Sequence, residues 1–144
     1  MFRKLLRHKQ QLPDSECIEI LKNEPRGVLS VVGDEGYPYG LPIDHWYCEE
    51  NGRLYFHCGK IGHKLDAIRA CNKVSYCVMD GGTPEEGGWA LYFRSVIVFG
   101  RAKIIEAKPG SSKSLVSSAT NSLTIPPTLK TKSAASPQAP SALS

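Results

Sequence analysis

From Arg26 onward apolar residues recur at every second position, and turn signals interrupt them at short intervals. Segments with that period bury one face each, and they do so by pairing edge to edge. The pattern predicts a mainly β, antiparallel barrel or sandwich with a few helices. Gly27 to Val32 reads as a strand and Gly33-Asp34-Glu35-Gly36 as a tight turn. Tyr37 to Tyr47 follows as a second strand, with Pro38 and Pro42 marking an edge or a bulge. Glu49-Glu50-Asn51-Gly52 makes the next hairpin turn, Arg53 to Cys58 the third strand and Lys73 to Met79 the fourth. Asp80 to Gly88 is a glycine-rich loop. Trp89 to Ile105 is a long last strand, apolar on both faces, as in a central strand or one covered in an oligomer.

Two helices interrupt this pattern. Asp14 or Ser15 can cap a helix running to about Asn23, with Cys17, Ile18, Ile20 and Leu21 on its apolar face and Pro25 ending it. Gly62 to Cys71 forms the second, with Leu65, Ile68 and Cys71 on one face. The loop that leads into it, Gly59-Lys60-Ile61-Gly62-His63-Lys64, sets Lys60, His63 and Lys64 around two glycines at a helix start. Free backbone N–H groups and the helix dipole favour an anion there. The spacing is neither a Walker A loop nor a dinucleotide fingerprint, so the loop points to a phosphate without naming its bearer.

Charge and cysteine content narrow the function classes. The net charge is +4, but all 14 acidic residues lie at or before Glu106 and four of the 18 basic ones lie after it. The body through Ala107 therefore balances at 14 of each sign, and no nucleic-acid footprint is expected. Five cysteines, an odd number, fall inside the expected secondary structure, and no apolar run approaches a membrane span. Reduced thiols in a cytoplasmic protein are expected, with no membrane partner. Met1 to Gln11 is basic and either covers a partner surface or lies loose.

Arg94 stands out in the apolar last strand, because a buried guanidinium is costly unless an anion meets it. Either a carboxylate of the chain supplies that anion, or a ligand does, directly or across a subunit boundary. His45, Cys48, His57, Cys58 and His63 include metal-ligand types, but their spacing matches no standard zinc arrangement, and no metal site is expected. From Lys108 to Ser144 there is no aromatic and no acidic residue, and Ser, Thr, Pro and Ala dominate. Residues 1–107 thus form the expected domain, and 108–144 an expected disordered tail.

The stretches RGVLSVVGDEGYPYGLPIDHWY, GRLYFHCGKIGHKLDAIRACNKVSYCV and YFRSVIVFGRAKII resemble the pyridoxamine 5'-phosphate oxidase-like flavin proteins, and among them the nitroimidazole-resistance (Nim) branch. The resemblance runs from about Glu16 to Glu106. It implies a split β-barrel homodimer with flavin mononucleotide (FMN) between the subunits. Carried over, Leu41, Pro42 and Ile43 lie along the flavin ring, and His57, Cys58 and Gly59 border it. Lys60, His63 and Lys64 hold the phosphate, and Tyr92, Arg94 and Ser95 line the site from the last strand. His57 is the implied proton donor, or else a histidine tied to a neighbouring strand. The implied activity is an FMN-dependent oxidoreductase that takes electrons from a reduced nicotinamide or other donor and passes them to a small acceptor such as a nitroaromatic. The alternatives are a non-catalytic flavin carrier or sensor and, further off, a haem or zinc protein. Related proteins continue with an acidic helical segment and a final strand, so the tail reads as an out-of-frame product that leaves one barrel strand missing.

Overall fold

The computed structural model describes residues 8–84, 86–87, 91–105, 121–125 and 128–134. Trp89, most of the expected basic N-terminal segment and much of the tail lie outside them. The strands are β1 (Arg26–Val32), β2 (Pro38–Cys48), β3 (Arg53–Cys58), β4 (Lys73–Met79), β5 (Thr83–Pro84), β6 (Leu91–Arg101), β7 (Lys103–Ile105), β8 (Asn121–Ile125) and β9 (Thr128–Ala134). The helices are α1 (Asp14–Asn23) and α2 (His63–Ala70). Neighbours run β5-β6-β4-β1-β2-β3-β8-β7, with β9 also on β6, and every pairing is antiparallel. This is the expected split barrel.

Two strands turn the corners. β2 pairs with β1 from Pro38 to Asp44 and with β3 only from His45 to Cys48, so it passes from one half of the barrel to the other at Asp44-His45. Pro38 and Pro42 sit in the half that has no β3 partner, where a missing N–H costs no ladder bond. The long last strand is likewise broken. Ala102, buried at the bend, separates β6 from β7, and its N–H donates to the Asn72 carbonyl at 2.8 Å.

The alternation seen in the sequence is the burial pattern of the strands. Leu29 and Val31 of β1, Leu54 and Phe56 of β3, Val74, Tyr76 and Val78 of β4, and Val96 and Val98 of β6 point inward. Cys17, Ile20 and Leu21 of α1 and Ala67 and Ile68 of α2 complete the core. All five cysteines are free thiols. No helix of the described residues is long and apolar enough to cross a membrane.

For Arg94 the structure supplies the intrachain ion pair. Its Nε donates to Asp80 Oδ2 at 2.8 Å, and its Nη1 reaches Glu16 Oε2 on α1 at 3.5 Å. Asp80 also accepts from the Arg94 and Gly82 amides, so one carboxylate closes the turn after β4 and ties it to β6. Burial pushes the Asp80 carboxyl up, but the hydrogen bonds from Arg94 and Gly82 outweigh it and hold it below the ordinary value.

The expected disordered tail needs correction over 121–125 and 128–134. β8 joins β3 to β7, and β9 lies along β6 from Phe93 to Phe99, so both belong to the barrel rather than to an appendage. Composition misled because a strand added to a sheet edge gains its backbone hydrogen bonds there and requires little apolar side chain of its own. Thr and Ile favour such a position. The barrel strand expected to be missing is therefore supplied by the tail. Deleting residues 128–144 should leave that edge of β6 unpaired. The expected result is a lower urea midpoint with concentration-dependent light scattering, and an unchanged midpoint would show that β9 adds nothing.

Candidate functional site

The barrel opens where β2 leaves β3. Pro42, Ile43 and Asp44 on one side, His57 on the other and Arg26 from β1 line a cleft of about 400 Å³. Strict alternation decides which side chains reach it. Pro42 and Asp44 point outward from β2, while Leu41 packs against the core and Ile43 is buried at the cleft floor. On β3 His57 is exposed to the cleft and Cys58 is buried on the opposite face. Burial pushes the Cys58 thiol up, and the charge of Lys64 draws it partly back.

Beneath the cleft floor lies a polar network. Tyr76, fully buried, points its hydroxyl at the Ile43 carbonyl, 2.9 Å away, and at His45 Nδ1, 2.8 Å away. His45 Nε2 lies 2.7 Å from the Leu21 carbonyl of α1, which can only accept, so Nε2 carries the proton. Gly27 must be glycine beside this network, because a Cβ there would lie 2.5 Å from the Cys77 carbonyl and 2.7 Å from the Tyr76 ring. Burial lowers the His45 pKa, and it outweighs the opposing hydrogen bond to Leu21. Burial likewise drives the Tyr76 phenol well up.

At the cleft rim Arg26 Nε donates to Asp44 Oδ1 at 2.6 Å and Nη2 to Oδ2 at 3.1 Å, a two-pronged pair between register partners. That hydrogen bond raises the Arg26 pKa and lowers the Asp44 pKa. Sequence reading missed both residues; their opposite charges become a signal only once the β1–β2 register is known.

The Gly59 to Lys64 loop runs from the end of β3 into α2, as expected. Gly62, at φ +137° and ψ 161°, holds a conformation that only glycine adopts readily, and its carbonyl accepts the Leu65 amide at 2.9 Å. The first two amides of the helix, His63 and Lys64, stay available beside Lys60 and Lys64, whose side chains pair with no carboxylate among the described residues. His63 is more committed. Its ring stacks on Tyr39 with centroids 4.4 Å apart, and its Nε2 stands 3.5 Å from Asp34 Oδ2.

The structure thus places Pro42, Ile43 and His57 on one cleft, while Gly59 to Lys64 follow His57 in the chain and His63 stacks on Tyr39 farther along β2. It does not bring Tyr92, Arg94 and Ser95 to that cleft. β4 and β1 intervene between β6 and β2, about 14 Å of sheet at the usual strand spacing, and Arg94 is held by Asp80 and Glu16. Among the described residues no three His, Cys, Asp or Glu side chains come together to hold a metal ion.

The His45 network carries a pH dependence. A folded pKa below the ordinary 6.5 means that acid protonates the unfolded chain first. The stability contribution is full above that value and is lost as pH falls toward the folded pKa. The urea midpoint should drop as pH falls through the ordinary value of 6.5, and His45→Gln should shrink that drop. An equal drop in the variant would assign it to another group.

Comparison with known proteins places this geometry. A candidate 5-nitroimidazole antibiotic resistance protein from Bacteroides thetaiotaomicron superposes with TM-score 0.68 at 16% identity, over 81% of this chain and 80% of that one. A FAD-binding protein from Mesorhizobium loti gives 0.61 at 21% identity, covering 81% and 91%. The FAD binding protein from Mycobacterium smegmatis gives 0.61 at 18%, covering 85% and 98%. These likenesses establish the shared fold. No curated protein matches the chain. The sequence profile of the pyridoxamine 5'-phosphate oxidase family matches residues 13–142, well into the tail, and the chain belongs to that family.

Proposed function

We propose that the chain is a flavoprotein that holds FMN at the divergence of β2 and β3 and works as an oxidoreductase on small acceptors of the nitroaromatic kind. The observation that carries this reading is the adjacency of two unlike sites. A cleft bounded by Pro42, Ile43 and His57 lies at one end of β3, and Lys60 and Lys64, with no carboxylate partner among the described residues, flank a glycine-started helix just after it. A flat ring with a phosphate on a short chain has those two needs.

The residues present fit that group. Lys60, Lys64 and the α2 amides would take the phosphate dianion, with His63 shared between it and Asp34. Pro42 and the edge of Ile43 would give the ring an apolar wall, fixed from behind by the Tyr76 hydroxyl on the Ile43 carbonyl. The bound flavin would supply the electron or hydride transfer. His57 is placed to hold a proton at an imidazole nitrogen facing the cleft, for delivery to a reduced product. The Arg26–Asp44 pair closes the rim and leaves the cleft without net charge from that side.

A homodimer completes this reading. Tyr92, Arg94 and Ser95 lie too far along the sheet to reach the cleft of their own chain, and a second copy is the way to bring a β6 surface to it. Val28, Val32, Met79, Leu91 and Tyr92 are exposed large hydrophobics on β1, β4 and β6, the kind of surface that an obligate partner covers. A reduced nicotinamide is the proposed electron donor.

Purified protein should be yellow and show flavin absorbance. Lys60→Gln with Lys64→Gln should weaken FMN binding by roughly ten-fold or more per lost charged contact, read by fluorescence titration. Binding equal to that of the parent chain would remove the phosphate assignment. In stopped flow, the reduced protein should be reoxidised faster by 2-nitroimidazole under anaerobic conditions than by oxygen alone; equal rates would favour a flavin carrier over a reductase.

A further inference from the structure

A second, larger groove of about 550 Å³ lies at the other end of α2, between its last turn and the β6–β7 bend. An eight-residue helix spans about 12 Å, so this groove is separate from the loop at the α2 start. Arg69, Lys73, Arg101 and Lys103 line it, and no acidic side chain among the described residues does. Arg69 is paired with Asp66 at 2.9 Å. Lys73, Arg101 and Lys103 form no ion pair among the described residues.

The backbone forces these charges together. Lys73 and Arg101 are register partners across β4 and β6, so two cations stand directly opposite one another, an arrangement that destabilises a sheet. The side chain of Asn72 accepts from Arg101 Nη1 at 2.9 Å, and its carbonyl accepts the Ala102 amide at 2.8 Å. Asn72 therefore orients the guanidinium and fixes the bend, and it leaves the charge uncompensated. Lys103 follows Arg101 by two residues, with buried Ala102 between them. Cations near the end of α2 complement its dipole, which accounts for Arg69. It does not account for an opposed Lys–Arg pair on the sheet.

We propose that this groove is an anion site for a compound carrying a short chain of phosphates, with Lys73, Arg101 and Lys103 as its three cationic contacts. A linear oligophosphate can place successive charges against all three, and seating it between Lys73 and Arg101 turns their repulsion into shared attraction. A single phosphate would leave most of the groove unfilled. The chemistry is common to inorganic oligophosphate and nucleoside triphosphates.

The test is calorimetric titration of the full chain with inorganic tripolyphosphate and, separately, with ATP, both free of divalent metal. Tripolyphosphate should bind, more weakly as salt rises, and it should bind Lys60→Gln/Lys64→Gln equally well. Lys73→Gln/Arg101→Gln should lower its affinity by roughly ten-fold or more while leaving flavin content unchanged. If that double variant fails to fold, Lys103→Gln alone should still weaken binding several-fold. Equal affinities for the two compounds identify the phosphates as the recognised group; tighter ATP binding shows that the groove also takes the nucleoside. No binding of either compound would overturn the assignment, as would parental affinity in the groove variants. Binding lost in the Lys60/Lys64 variant would trace the signal to the flavin loop instead.

Discussion

The corner of β2 governs the molecule, and the Tyr76 hydroxyl holds that corner. A strand that changes partners at Asp44-His45 has to fix the residues on either side of the change, or the two halves of the barrel slide. Tyr76 meets the backbone carbonyl of Ile43 just before the corner and the ring of His45 just after it. His45 in turn reaches the Leu21 carbonyl near the end of α1. One buried phenol thus connects β4, both arms of β2 and the first helix. Its removal would leave a carbonyl and an imidazole unsatisfied in the interior, where each such group costs about 1–3 kcal/mol. The cleft exists because β2 departs from β3 at that corner.

Elsewhere the polar contacts divide between holding the chain and remaining open to a ligand. Asp80 gathers Arg94, two backbone amides and, through Arg94, Glu16, and so spends its charge within the fold. Arg26 and Asp44 do the same at the cleft rim. Among the described residues, Lys60 and Lys64 at the start of α2 and Lys73, Arg101 and Lys103 beyond its end form no ion pair. The neutral body thus conceals two local excesses of positive charge at opposite ends of one helix. Summing charge over the body erased that distinction.

Local chemistry was legible in the sequence, and long-range partnership was not. Period-two alternation located β1, β3 and β4 to within a residue or so of their ends, and Gly62 followed by His63 marked the start of α2. His57 on one face and Cys58 on the other follow from the same alternation. Arg94 could not be resolved because its partners, Asp80 and Glu16, are 14 and 78 residues away in the chain. The Tyr76–His45 contact spans 31 residues and needs the barrel to be closed before it can be seen. Ala102 looked like one more strand residue, although it marks the second corner.

The tail shows most clearly why composition is a weaker guide for an edge strand than for a core strand. A core strand is recognised by its apolar residues, and β9, with the sequence Thr-Leu-Lys-Thr-Lys-Ser-Ala, has few. β6 nevertheless presents a free edge beside it, and pairing from Phe93 to Phe99 satisfies backbone groups that would otherwise stay open to association with another chain. Polar composition is therefore compatible with a structural role at this position, because the backbone supplies the cohesion.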